Sequence, residues 1–155
     1  MNEIERKFLL KNEQFTPTSA GIRIRQGYLT FDAERVVRVR IADENGFITI
    51  KGKMEGITRP EFEYEIPKNE AELMLKMCLN DIVEKIRYKE IYNGMLWEVD
   101  IFKNENEGLS IAEIELASED QFFEIPFWVG EEVTFDKRYY NSWLSRNPFK
   151  KWQNS

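Results

Sequence analysis

Residues 3–7 read EIERK, which sets Glu3, Glu5 and Lys7 two positions apart with Ile4 and Arg6 between them. Side chains two apart in a strand point to one face, so two acids and a base line a single surface here. Like charges alternate in the same way further along. In VVRVRI (36–41) Arg38 and Arg40 oppose Val37, Val39 and Ile41, and in ITIKGK (48–53) Lys51 and Lys53 oppose Ile48 and Ile50. RPEFEYEI (59–66) places Arg59, Glu61, Glu63 and Glu65 against Pro60, Phe62, Tyr64 and Ile66. KIRY (85–88) gives Lys85 and Arg87, WEVD (97–100) gives Glu98 and Asp100, and AEIEL (112–116) gives Glu113 and Glu115.

An ordinary solvated face mixes charges with Ser, Thr, Asn and Gln. Same-sign neighbours on one face are unfavourable unless something of opposite sign lies between them. Closing the sheet with its charged faces inward resolves this, because the basic pairs then surround an anion and the acidic pairs surround cations. The apolar faces point outward, to be covered by helices and loops. Closure also removes exposed strand edges.

The rest of the pattern agrees. Strand periodicity runs through Glu3–Leu10, Ile22–Phe31, Arg35–Ala42, Phe47–Lys53, Arg59–Ile66, Ile82–Tyr92, Met95–Phe102 and Leu109–Leu116, with turn signals at DENG (43–46) and YNG (92–94). One helix is expected from a cap at Asn69, with Leu73, Met74, Met77 and Cys78 on its buried face. A second is expected from a cap at Asp136 through Tyr139, Tyr140, Trp143 and Leu144 to Asn147 and Pro148, and a short one between Ser118 and Pro126. The fold class is α+β, mainly β: a closed eight-stranded antiparallel barrel with a few flanking helices.

With 155 residues, 42% hydrophobic and 14% aromatic, the chain is expected to form one domain, 1–155, able to fold alone. A net charge of −6 argues against nucleic acid or an anionic membrane as partner, and no apolar run approaches the roughly 18 residues of a membrane span. A cytoplasmic location is expected. Cys78 is the single cysteine and histidine is absent, which excludes an internal disulfide, a zinc–thiolate cluster, His-based triads and His-ligated metals. Any metal must be held by oxygen, which matches Mg²⁺ or Mn²⁺. Paired Arg and Lys on adjacent strands suit a small polyanion with several phosphate oxygens. GKMEG (52–56) lacks the spacing of a P-loop and no GxGxxG is present, so side chains must bind the phosphates. Glycoside hydrolysis by paired carboxylates would not need so many facing cations.

The ordered set EIERK, QGYL (26–29), VRVR (37–40), TIKG (49–52), EFEYEIP (61–67), WEVD, AEIEL and EVTFDKRYYN (132–141) resembles the CYTH superfamily, the triphosphate tunnel metalloenzymes, over nearly the whole chain. That resemblance implies an eight-stranded tunnel that binds triphosphate with divalent metal. It implies that Glu3, Glu5, Glu113 and Glu115 hold metal, while Glu98 and Asp100 help a second ion to orient water. Lys7, Arg38, Arg40, Lys51, Lys53, Lys85, Arg87 and Arg138 would contact phosphates, with Tyr28, Glu61 and Glu63 supporting. Glu5, Lys85, Glu98 and Asp100 form the implied catalytic group. The implied activity is metal-dependent hydrolysis of a triphosphate, with inorganic tripolyphosphate favoured by the lack of an added module for a base or sugar. Thiamine or nucleoside triphosphate hydrolysis, adenylyl cyclisation and non-catalytic polyphosphate or nucleotide binding stay open, as do monomer and homodimer.

Overall fold

Each alternating stretch becomes a strand in the computed structural model, which describes residues 1–154. The strands are β1 (Asn2–Leu10), β2 (Ile22–Tyr28), β3 (Val36–Ala42), β4 (Asn45–Lys51), β5 (Thr58–Ile66), β6 (Leu79–Tyr92), β7 (Met95–Phe102), β8 (Ser110–Glu115) and β9 (Val129–Glu132). Two α-helices accompany them, α1 (Lys68–Met77) and α2 (Asn141–Arg146). Eight strands pair antiparallel in the order β5-β4-β3-β2-β6-β7-β8-β1, and β1 returns to β5, so the sheet is a closed barrel. The closing seam is short: Asn2, Glu3 and Ile4 face Pro60, Arg59 and Thr58. Beyond it β9 takes the same edge of β1, at Phe8 and Leu10. The sequence pattern had no place for β9, because VGEE is short and lacks alternation.

Outward-facing apolar residues form two clusters. Phe8, Trp97, Val99, Ala112 and Ile114 on β1, β7 and β8 pack beneath Trp128, Val129 and Phe123. The expected helix in 118–126 does not form; this segment is irregular chain whose Phe123 ring is T-shaped against Trp97. Val39 and Ile41 of β3 lie under Ala71 and Leu75 of α1. That helix starts after Pro67 rather than at an Asn69 cap, and its packed stripe only partly matches the expected one: Met74 and Cys78 pack against the cluster, Leu73 and Met77 are exposed, and Ala71 and Leu75 take the buried positions. Glu72 points to Arg25 of β2 instead of capping. The outer faces of Ile50, Phe62 and Tyr64 on β4 and β5 remain exposed.

The C-terminal segment enters the barrel instead of covering its outside. Asp136 caps a 3₁₀ turn (Lys137–Tyr139), Tyr140 is extended, and only then does α2 begin, ending at Asn147 before Pro148. Its Leu144 is fully buried against Val83, Phe102, Leu109 and Ile111, with Tyr139, Phe149 and Trp152 packed around them. Phe102 and Ile111 share the inward faces of β7 and β8 with Asp100 and Glu113, so this cluster stoppers one side of the lumen.

Candidate active site

The barrel encloses a cavity of about 500 Å³. Its wall carries fourteen of the sequence-predicted residues: Glu3, Glu5, Lys7, Tyr28, Arg38, Arg40, Lys51, Glu61, Glu63, Lys85, Arg87, Glu98, Glu113 and Glu115. Three others lie elsewhere. Lys53 is past the end of β4, 69% exposed at its side chain and 3.8 Å from Glu34. Arg138 is 59% exposed, folds back on Asp136 at 2.6 Å and covers the rings of Tyr139 and Trp152. Neither reaches the cavity: Lys53 follows the strand's last inward position and Arg138 is held by the capping carboxylate. Asp100 is inside but fully buried behind the wall.

Arginines concentrate on β3 and β6, and carboxylates on β1 and β8. On β3, Arg38 donates to Thr49 Oγ1 (3.1 Å), and its Nε is buried with no partner among the described residues. Arg40 next to it donates only to a neutral oxygen, Gln26 Oε1 (2.9 Å), and has no carboxylate partner among the described residues. Burial, with Arg38 and Arg87 nearby, pulls the Arg40 pKa down to about 9. On β6, Arg87 grips Asp100 through two hydrogen bonds of 2.8 and 2.9 Å and reaches Glu98 at 3.2 Å. Lys85 Nζ lies 2.7 Å from the same carboxylate. Even so, burial together with Arg87 and Arg40 outweighs Asp100 and brings the Lys85 pKa to about 7. Asp100 itself resists burial, because Arg87 and Lys85 hold its pKa down to about 2.

The acidic wall is built by the β1–β8 register, which sets Glu5 opposite Glu115 and Lys7 opposite Glu113. Lys7 Nζ donates to Glu113 Oε1 at 2.7 Å. Glu3 is held by Lys51 (3.1 Å) and Arg59 (3.3 Å); burial opposes its charge, but Lys51 and Arg59 bring its pKa down to about 2. Glu5 differs. Burial, then Glu113 and Glu3, raise its carboxyl well above the usual range, and its nearest base, Lys7, is 4.0 Å away.

Two neutral residues missed in the sequence complete the site: Asn141 lines the cavity, and Gln26 lies fully buried behind it. Asn141 Oδ1 accepts from Lys85 Nζ (2.9 Å) and from Gln26 Nε2 (3.0 Å). Gln26 shares the inward face of β2 with Tyr28, and that two-residue spacing was the available signal. Asn141 ends the EVTFDKRYYN stretch of the family resemblance, but its place in the site depends on where the C-terminal segment turns.

The sequence and the barrel both have known counterparts. The CYTH domain pattern matches residues 1–145. A protein named inorganic triphosphatase from Acetivibrio thermocellus is 48% identical over 149 residues, 96% of each chain. The chain belongs to the CYTH family. Another inorganic triphosphatase, from Nitrosomonas europaea, is 38% identical over 149 residues, covering 94% of this CYTH chain and 97% of its own. The crystal structure of an inorganic triphosphatase superposes with a TM-score of 0.66 at 37% identity, over 92% of this chain and 96% of that one. A Pyrococcus furiosus protein at 19% identity and a TM-score of 0.59 shares the fold, over 76% of this chain and 80% of its own.

CYTH proteins are metal-dependent, and the donor set fits a hard cation. Every acidic donor on the wall is a carboxylate, and Glu5 sits between Glu3 and Glu113 without a close cation of its own. No three acidic groups among the described residues already converge on one point. Glu3 and Glu113 are instead drawn to Lys51 and Lys7.

Proposed function

We propose that this CYTH barrel hydrolyses inorganic tripolyphosphate to orthophosphate and pyrophosphate in its cavity. The observation that carries this reading is the convergence of Arg38, Arg40, Lys85 and Arg87 on one cavity, with Arg40 lacking an acid and an Arg38 nitrogen lacking any partner among the described residues. Desolvated cations left in that state are stabilised by an anion with several oxygens. The names of the relatives at 48% and 38% identity support the same substrate.

In this reading a water oxygen attacks the terminal phosphorus and gives up its proton to solvent, the bond from that phosphorus to the bridging oxygen breaks, and pyrophosphate leaves with the electron pair. Arg38, Arg40, Arg87 and Lys7 face the phosphate oxygens and meet the charge that spreads over them and the leaving group. Asp100 positions Lys85 and Arg87 from behind and does not touch substrate. Glu98, on the wall beside Arg87, orients the water. Glu3, Glu5, Glu113 and Glu115 would hold Mg²⁺ or Mn²⁺, which when bound neutralises charge and makes water easier to ionise.

Phosphate release from tripolyphosphate, with and without each ion, tests the reading. Glu5→Ala is expected to abolish release while tripolyphosphate still raises the melting temperature. Binding by the wild type without release under any divalent ion would leave a binder, not an enzyme. A second reading, hydrolysis of an organic triphosphate, is favoured by apolar side chains on the same wall. Ile22, Ile24, Ala42 and Phe47 line the cavity around the β3–β4 hairpin, with Ile24 facing Ala42 and Phe47 facing Arg40. Thiamine and nucleoside triphosphates assayed beside tripolyphosphate distinguish the two.

A further inference from the structure

The hydrogen-bond chain Arg40–Gln26–Asn141–Lys85 crosses from β3 through β2 and the start of α2 to β6, and its direction is fixed by its ends. A protonated arginine Nε can only donate, so the Gln26 atom facing it is Oε1, and Nε2 is turned toward Asn141. Lys85 Nζ, held between the Asp100 carboxylate and Asn141, donates toward Asn141 in its protonated form, so Asn141 presents Oδ1 to it. Oδ1 then accepts from both Lys85 and Gln26, which uses its two lone pairs. The amide nitrogen of Asn141 points the other way. It has no partner among the described residues, and Asn141 lines the cavity.

From this geometry we infer that Asn141 is a substrate-contacting residue, whose Nδ2 donates to a phosphate oxygen, and that Gln26 is a positioning residue that fixes the orientation of Asn141 and Arg40. This rests on the triphosphate reading of the same cavity. Two amides suit the role because they accept from Arg40 and Lys85 without neutralising them. Carboxylates of the same shape would accept equally well, but they would cancel the positive charge and repel the substrate.

Asn141→Asp keeps the shape and the acceptor toward Lys85 and Gln26 while turning the donor into an anionic oxygen. Gln26→Glu makes the same exchange one step back. Wild type and both variants are compared as full chains for kcat and KM on tripolyphosphate with Mg²⁺, for melting temperature, and for calorimetric binding of tripolyphosphate. Asn141→Asp is expected to raise KM and the dissociation constant by about tenfold or more, with a smaller change in kcat and a melting temperature close to wild type. Gln26→Glu is expected to weaken binding in the same direction. Unchanged KM and binding in a folded Asn141→Asp protein would overturn the contact. A fall in melting temperature with no separation of KM from kcat in both variants would assign the chain a purely structural role and overturn it as well. If wild type binds tripolyphosphate but releases no phosphate, the hydrolase reading fails while the calorimetric comparison still decides the contact.

Discussion

Lys85 is 1% exposed at its side chain and held between Asp100 and Asn141. An unfolded lysine titrates near 10.4, whereas burial and the adjoining guanidinium groups bring this one to about 7. Between those values the folded chain binds fewer protons than the unfolded one, so the stability this group contributes grows as pH rises from about 7 toward 10 and is lost as pH falls back through 7. Melting temperatures of wild type and Lys85→Met measured across that range are expected to diverge in favour of wild type as pH increases; a constant difference would refute the shift. At this scale the sequence was most legible where charges repeat two apart. Glu3, Glu5 and Lys7 reach the cavity because alternation alone orients them. Lys53 kept the alternation but ran past the strand end, and Arg138 has no strand to orient it. Gln26 and Asn141 carry no charge, so a reading built on charge pairs passed over them.

The elements are placed by packing rules that local patterns only half express. Gly46 on β4 shows this: a Cβ there would lie 2.8 Å from the Ala71 Cβ of α1 and 3.0 Å from the Ile66 carbonyl oxygen, neither of which is the end of a flexible side chain. Gly46→Ala is therefore expected to push α1 outward and to destabilise the fold by about 1–3 kcal/mol, read as a lower denaturation midpoint at unchanged slope. Helical spacing in ELMLKM was plain, but Leu73 and Met77 are as apolar as the residues that are buried, and only the sheet beneath selects the stripe through Ala71 and Leu75. The same holds for α2. Its spacing was visible from Tyr139 to Leu144, yet its site inside the lumen follows from the apolar residues Phe102 and Ile111 at the inward ends of two otherwise charged strands.

Over the whole molecule the closed barrel holds walls of mostly opposite sign, with β3 and β6 basic and β1 and β8 acidic at their inward positions except for Lys7. In the proposed reading an anion with associated divalent ions would bridge these walls and bind the folded state alone. Tripolyphosphate with Mg²⁺ at about 100 times its dissociation constant is expected to stabilise by about 2.7 kcal/mol, seen as a concentration-dependent rise in melting temperature that Arg40→Met reduces. No such rise would contradict the cavity's role. Closure was legible from the like-charge pairs, since only an enclosed lumen makes them tolerable. The seam that achieves it was not, because Asn2–Ile4 and Thr58–Pro60 carry nothing that marks them as partners.

That seam sets the order in which the chain can assemble. β1 is early in the sequence, but its neighbours are β8, through Glu5 opposite Glu115, and β5 and β9, while β3–β4 and β6–β7 are hairpins that can form as soon as they are made. During synthesis the Asn2–Ile4 end of β1 can meet β5 early, but its Glu5–Leu9 part lacks its β8 partner until Ser110–Glu115 has emerged, so the cylinder is completed in a late, long-range step. A ribosome-bound fragment ending before β8 would expose the apolar side of β1 to chaperones.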